Sequence, residues 1–534
     1  MDENLYIGLD FGTLSARAVL ASSDNGQVLG ESFFEYPHGV ITGCLSSGRL
    51  LPADYALADP IDYREALFSC ISSLLKETSV SPECIKGIGV AATTYTMVPC
   101  LEDGSALAEH EKYRDEPMAY IKLWKHHGAS KQADKIAEVH SRTNGFPAIE
   151  RYGHSVNCEW GLPKLLETFE VSPQIFSQSF RICDLGEWII WILTGKPVNA
   201  MYTAGFKGMW TPENGYPQKR ILNNLADGFG DAFYEKFAGK IHDYKAPCGI
   251  ITKDIADRLG LYEGTIVATP MGDGSSPGIY YCLNNPGTLA ITLGTSVAMA
   301  FVSDKLCQID GINGVVKDGI VPGYYGYDAG QPCAGDMLNW FVENQVPVGY
   351  YEKAETFGMG IHEYLSSISA ENKPFQNSLT VLDWFNGNRG ILNDLSLRGS
   401  IFGLSLKTRP EDIYCAMIQG IACGTRIILE HLAENGLLYD NIVICGGITD
   451  KNDFIRKEYA NILGCKIYVS ARKNITATSA AVLAAIASGS TPKNAAERLC
   501  KADFITVEPD LVHRAEYETI YQRYKKYYNL LSVN

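Results

Sequence analysis

The chain has 534 residues, 46% of them hydrophobic and 20% charged, a length that buries several cores and a balance that excludes disorder and fibrous repeats. Its formal net charge of -15 disfavours a nucleic-acid backbone or an anionic membrane as partner. The fifteen cysteines contain no Cys-x-x-Cys, the closest pair being Cys415 and Cys423, so a zinc-ligand pair is excluded and reduced, structural thiols are expected. The N-terminus lacks the basic start and apolar run of a signal peptide, and no apolar run reaches about 18 residues, which points to a cytoplasmic protein.

In chain order, Leu5–Phe11 reads as an apolar strand, Ser15–Ser22 as a second and Val28–Tyr36 as a third, with hairpin turn chemistry at Ser23-Asp24-Asn25-Gly26. Asp59-Pro60 opens a helix with apolar residues at Ile61, Leu67, Cys70, Ile71, Leu74 and Leu75. Gly87–Val90 follows as a short buried strand. The opening then recurs: Leu289–Ala300 repeats the strand, Gly-Thr turn and strand of Ile7–Val19, placing Thr292 where the first copy has Asp10. A helix near Glu411–Leu432, a strand at Asn441–Cys445, a helix from about Asn452, a strand at Lys466–Ser470 and a helix at Thr476–Ser488 come after it. Arg514–Tyr528 has helical spacing and suits a surface helix or a subunit contact. Two similar runs of elements predict a duplicated α/β fold with a cleft between two domains, 1–285 and 286–534, divided at the turn Leu283-Asn284-Asn285-Pro286-Gly287.

Three segments carry chemistry. Asp10-Phe11-Gly12-Thr13-Leu14-Ser15-Ala16-Arg17 occupies the first tight turn. A glycine there lets the backbone approach a phosphate, and N–H groups with Thr and Ser hydroxyls can bind its oxygens. Asp10 is placed to hold a hydrated Mg2+. An ordinary hairpin turn with an Asx cap is the alternative, and Asp-x-Gly-Thr also occurs in aspartic proteases. Thr292 in the second copy argues against a symmetric carboxylate pair. Gly446-Gly447 follows an apolar strand and precedes a helix, where a flat base can approach or a simple helix start would do. Pro270-Met271-Gly272-Asp273-Gly274-Ser275-Ser276 sets an aspartate after the strand Thr265–Thr269, where a general base or a capping residue would sit. No Gly-x-x-x-x-Gly-Lys-[Ser/Thr] is present, which excludes a P-loop enzyme.

Asp10–Arg17, Gly294-Thr295-Ser296 and Gly446-Gly447 together resemble the FGGY carbohydrate kinases. Within that family, Tyr36-Pro37-His38-Gly39, Lys122–His127, Gly205–Trp210, Val315–Tyr327, Leu382–Arg389 and Gly424-Thr425-Arg426 are similar to the ribulokinases. The resemblance spans nearly the whole chain. It implies a duplicated actin-like ATPase (ribonuclease H-like) fold and ATP-dependent phosphorylation of the terminal (C5) hydroxyl of a ketopentose, L-ribulose first. By the same resemblance Asp273 would be the base and, with Asp10, would work with Mg2+. Gly12, Thr13, Ser15, Arg17, Gly294 and Thr295 would hold phosphates, and Gln331, Gly335, Trp340, Gly446 and Gly447 would line the nucleotide pocket. Lys207, Thr94, Asp328 and Trp124 would meet the sugar, Trp124 equally suiting a core position. A homodimer is a further implication.

The sequence departs from the family around the sugar. Ribulokinases read Gly-Val-Asp-Phe-Thr-Ala-Cys-Thr-Met where this chain has Gly89-Val90-Ala91-Ala92-Thr93-Thr94-Tyr95-Thr96-Met97. The usual Tyr-Glu-Ala-Gly-Gln is Tyr327-Asp328-Ala329-Gly330-Gln331, and Asn-Ile-Asp-Ala-His-Ala is Met271-Gly272-Asp273-Gly274-Ser275-Ser276. A shortened acid and a new hydroxyl should change which pentulose fits. A kinase for D-ribulose, xylulose, a tetrulose or a polyol therefore stands beside the first candidate. A nucleotide-driven clamp without sugar chemistry is the reading from another class.

Overall fold

A computed structural model describes residues 4–206, 208–450, 452–501 and 503–532. The first apolar runs form an antiparallel meander, Leu5–Phe11 with Ser15–Ser22 and then Val28–Glu35, in which Asp10 lies opposite Arg17. Ile85–Ala92 adds in parallel on the other side of Leu5–Phe11, bringing Ala91 level with Asp10. Ile266–Val267 and Met271–Gly272 pair in turn with Ile85–Ala92, and Gly249–Ile250 closes the edge of this seven-stranded sheet. The helix before Ile85–Ala92 runs over Pro60–Thr78; the Asp59 side chain accepts the Ile61 N–H at 3.1 Å and Pro60 supplies a preset φ.

The second sheet repeats the plan. Thr288–Leu293, Val297–Ser303 and Tyr325–Gln331 form the meander, with Gly314–Lys317 at its edge. Asn441–Cys445 and Ile467–Ser470 add in parallel, and Phe504–Val507 closes the far side antiparallel. Thr292 stands level with Cys445 as Asp10 stands level with Ala91. The long apolar helix Pro410–Glu434 is a core helix of this half, buried along most of its length. Arg514–Leu531 completes the chain as a helix that buries Tyr517, Tyr521, Tyr524 and Tyr528.

The two sheets meet through two helices. Ser276–Cys282 packs on the second sheet, and Ile475–Ala487, nearly all buried, packs on the first. The second contact is backbone on backbone. A Cβ on Gly89 would stand 1.8 Å from the Ala480 carbonyl oxygen, and one on Gly8 1.8 Å from that of Ala477. Gly89→Ala is therefore expected to destabilise the chain by about 3 kcal/mol or more, because backbone must shift to admit it. Gly349→Ala, in a helix with nothing within 4 Å of its Cβ, is the comparison expected to cost nothing. Urea unfolding of the two variants reads the difference.

Candidate active site

The turn after Leu5–Phe11 is closed by the Gly12 N–H donating to the Ser15 carbonyl at 3.0 Å. Thr13 Oγ1 accepts from Trp124 Nε1 at 3.1 Å, so the tryptophan ring is tied to the turn and only half-buried. Beneath it the buried Lys164 ammonium donates to the carbonyls of Tyr95, Leu123 and Trp124 at 2.8, 2.7 and 3.1 Å. Lys122, from the same motif, is a core residue that pairs with Glu167 at 2.6 Å, and His126 contacts the same carboxylate. Burial holds the His126 imidazole down to about 4. Burial also pulls Glu167 upward, but Lys122 and His126 outweigh it and bring the carboxyl down to about 2. The motif thus anchors the floor on which Trp124 stands.

Asp10 and Asp273 lie on either side of the strand Ile85–Ala92. Asp10 is level with Ala91, as is Met271, and the Asp273 N–H donates to the Ala92 carbonyl at 2.9 Å. One Asp273 carboxylate oxygen accepts from the Gly274 N–H at 2.7 Å. Burial first, and the charge of Asp273 next, push the Asp10 carboxyl up to about 7, against the opposing pull of Arg17. The Arg17 guanidinium is 3.9 Å from Asp10 and lies over the Phe33 ring. Two neighbouring carboxylates, both hard oxygen donors, fit a hydrated Mg2+. Among the described residues no cluster of three or more His, Cys, Asp or Glu competes for that role.

Thr94 precedes Tyr95, whose φ of 56° is unusual for a non-glycine residue. Two buried groups hold that turn, Asp184 accepting the Tyr95 N–H at 2.6 Å and Lys164 taking its carbonyl. Asp328 is 8% exposed; its carboxylate accepts from Asn313 Nδ2 at 2.7 Å and from Ser275 Oγ at 3.0 Å. Lys207 lies outside the described residues.

On the other half, the Gly294 N–H donates to the Ser296 carbonyl at 3.0 Å, a turn one residue shorter than that at Gly12. The carbonyls of Gly294 and Thr295 accept from the N–H groups of Gly335 and Ala334, at 3.0 and 2.8 Å, which joins this turn to the helix Gly335–Gln345. Gly446, at φ 114°, presses on Leu293, where a Cβ would stand 2.3 Å from the carbonyl oxygen, whereas Gly447 has open space around its Cβ position. A cavity of about 660 Å3 opens beside them, lined by Gly335, Leu338, Asn339, His362, Gly447 and Ile448 among others. Trp340 is outside that lining, its ring 5.2 Å from Phe385. Gln331 is in the interior, where its amide donates to Asp383 and Ile421 and accepts from Thr425. Its motif partners Asp383 and Thr425 thus build the core of this half. His362, Asn313, Tyr202 and Lys164 carried no motif signal, and each is placed by contacts between distant parts of the chain.

Two sheets of one plan, each with a glycine turn after its first strand, and a cavity beside the second turn are the architecture of a two-domain phosphotransferase. The chain belongs to the FGGY family of carbohydrate kinases: the family's N-terminal domain matches residues 5–277 and its C-terminal domain residues 289–488. It is a carbohydrate kinase with the actin-like ATPase fold. It is 35% identical to a ribulokinase of Geobacillus thermodenitrificans over 98% of this chain and 94% of that one. A ribulokinase of Bacillus licheniformis is 35% identical over 96% and 94%. Among solved structures, a xylulose kinase from Lactobacillus acidophilus superposes with a TM-score of 0.80 at 20% identity, covering 99% of both chains.

Proposed function

We propose that this chain transfers the γ-phosphoryl group of Mg-ATP to the terminal (C5) hydroxyl of a ketopentose, with L-ribulose the first candidate. The observation that carries the reading is Asp273 held at the end of the sheet, one strand from Asp10, with the Gly294 turn and its cavity opposite. Asp273 takes the proton of the attacking hydroxyl. Asp10 and Asp273 hold Mg2+, which supplies charge neutralisation on the phosphates. Gly12, Thr13 and Ser15 on one turn and Gly294 and Thr295 on the other bind phosphate oxygens. The cavity beside Gly335 and Gly447 takes the base, with Leu338 and Ile448 against its faces and Asn339 and His362 as polar partners. Trp124 offers an apolar face to the pentose and Lys207 an ammonium to its hydroxyls. Arg17 is engaged with Asp10 and acts first as its counter-charge. Free thiols throughout suit a reducing cytosol, and a homodimer is the assembly proposed.

Both carboxylate oxygens of Asp328 already have protein partners, and this favours a second reading in which another pentulose or a polyol is preferred. Product analysis tests the proposal. Incubation with Mg-ATP and L-ribulose is expected to give a phosphomonoester whose 31P signal couples to a terminal CH2. Coupling to a single CH proton, or to a CH2 with no proton on the neighbouring carbon as at C1, would remove the C5 assignment.

A further inference from the structure

The residues that depart from the family around the sugar, Thr94, Ser275 and Asp328, form one chain in space, and Tyr202 is the link. The order follows from counting protons. A carboxylate only accepts, so Ser275 Oγ gives its single proton to Asp328 at 3.0 Å. The Ser275 oxygen then accepts from Tyr202 Oη at 2.9 Å. Tyr202 has spent its proton, so only a lone pair remains for its other neighbour. That neighbour is Thr94, whose hydroxyl is a second side-chain hydrogen-bond partner of the Tyr202 phenol; both oxygens lie above Gly272, where a Cβ would stand 2.3 Å from Tyr202 Oη and 2.4 Å from Thr94 Oγ1. Thr94 therefore donates to Tyr202, and the lone pairs of Thr94 are left unspent.

Burial decides which member meets a ligand. Ser275 is 1% exposed, Tyr202 2%, Asn313 5% and Asp328 8%, whereas Thr94 is only half-buried. Burial foremost, with the charge of Asp328 next, pushes the Tyr202 phenol well above its ordinary range, so it remains a donor at any working pH. The chain also crosses between the halves, from the helix Met201–Gly205 and the segment after Asp273 to the strand Tyr325–Gln331.

We infer that Tyr202 is a specificity-determining positioning residue, through which Asp328 makes Thr94 a fixed hydrogen-bond acceptor for one hydroxyl of the ketopentose. Asp328 acts on the sugar through the relay and not by direct contact. Four side chains hold one orientation, so an epimer that sets a C–H against Thr94 loses a hydrogen bond and leaves that acceptor unpaired in the occupied site. The inference rests on the ketopentose kinase reading above.

Tyr202→Phe keeps the ring and removes the link. It is expected to raise KM for the preferred ketopentose about tenfold, which is about 1.4 kcal/mol, with kcat and the KM for ATP within about twofold. Ser275→Ala breaks the neighbouring link and is expected to do the same, which covers a folding defect in either variant. Thr94→Val should match Tyr202→Phe, and the double variant should be no worse than Thr94→Val alone, because both remove one interaction. A purely structural role would lower the melting temperature and disturb both substrates alike. An unchanged sugar KM in both single variants, or a further tenfold loss in the double variant, overturns the relay. Absence of turnover with every ketopentose by the unaltered chain overturns the reading under Proposed function, and the relay with it.

Discussion

Asp273→Asn is expected to lower kcat for sugar-dependent ADP formation by about 1,000-fold, the range of a lost general base. Asparagine preserves the shape of the site: its amide oxygen can still accept the Gly274 N–H that Asp273 accepts at 2.7 Å. The backbone hydrogen bond from residue 273 to the Ala92 carbonyl is untouched. What is lost is an oxygen able to take a proton, together with one of the two charges placed to hold Mg2+. Binding of ADP in the cavity beside Gly335 and Gly447 should therefore persist, and the melting temperature should stay close to that of the unaltered chain. A kcat within about tenfold of the unaltered chain would remove Asp273 from the role of base.

Asp10→Asn is expected to cut kcat/KM for Mg-ATP by about 100-fold, a loss typical of one removed electrostatic contact to a transferring group. The same variant should be more stable than the unaltered chain when no nucleotide or metal is present. Burial and Asp273 raise the Asp10 carboxyl from 3.8 to about 7. An acid whose folded pKa exceeds its unfolded value loses stability as pH rises between those two values. The stability gained by Asp10→Asn should accordingly grow from pH 4 to pH 7 and then level off. Calorimetry across that range, with and without Mg-ATP, separates the two effects. A variant that is both less active and less stable at pH 8 would mean that Asp10 is a structural partner of Arg17.

The elements legible in the sequence were those set by neighbours in the chain. Asn441–Cys445 forms over the expected residues because an apolar strand ends at two glycines. Asp59-Pro60 starts its helix, and Asn452 caps the next by accepting the Ile455 N–H, through side chains acting within a few positions. The turns at Gly12 and Gly294 are readable for the same reason. The strand expected at Thr265–Thr269 is shorter, Ile266–Val267. Ile475–Ala487 was readable as a helix, yet its partners were not: it is buried all round, and no periodicity reports that Gly8 and Gly89 lie beneath it.

The site was legible where motifs are contiguous and opaque where it is assembled across the fold. Tyr202 meets Ser275 from 73 positions away, Ser275 meets Asp328 from 53, and Asp184 holds Tyr95 from 89. Gln331 shows why a motif residue need not face a ligand. It belongs to a stretch shared with the family, but Asp383, Ile421 and Thr425 take up its amide in the interior. The long-range partners decide whether a polar side chain supports a wall or lines it.

Phosphoryl transfer to a ketopentose is measured most directly by coupled ADP release with Mg-ATP. The sugars are L-ribulose, D-ribulose, D- and L-xylulose, ribitol and erythrulose. The prediction is release that depends on the sugar, with kcat/KM highest for one ketopentose and lost in Asp273→Asn. Release that is independent of every sugar, or equal in that variant, would contradict it.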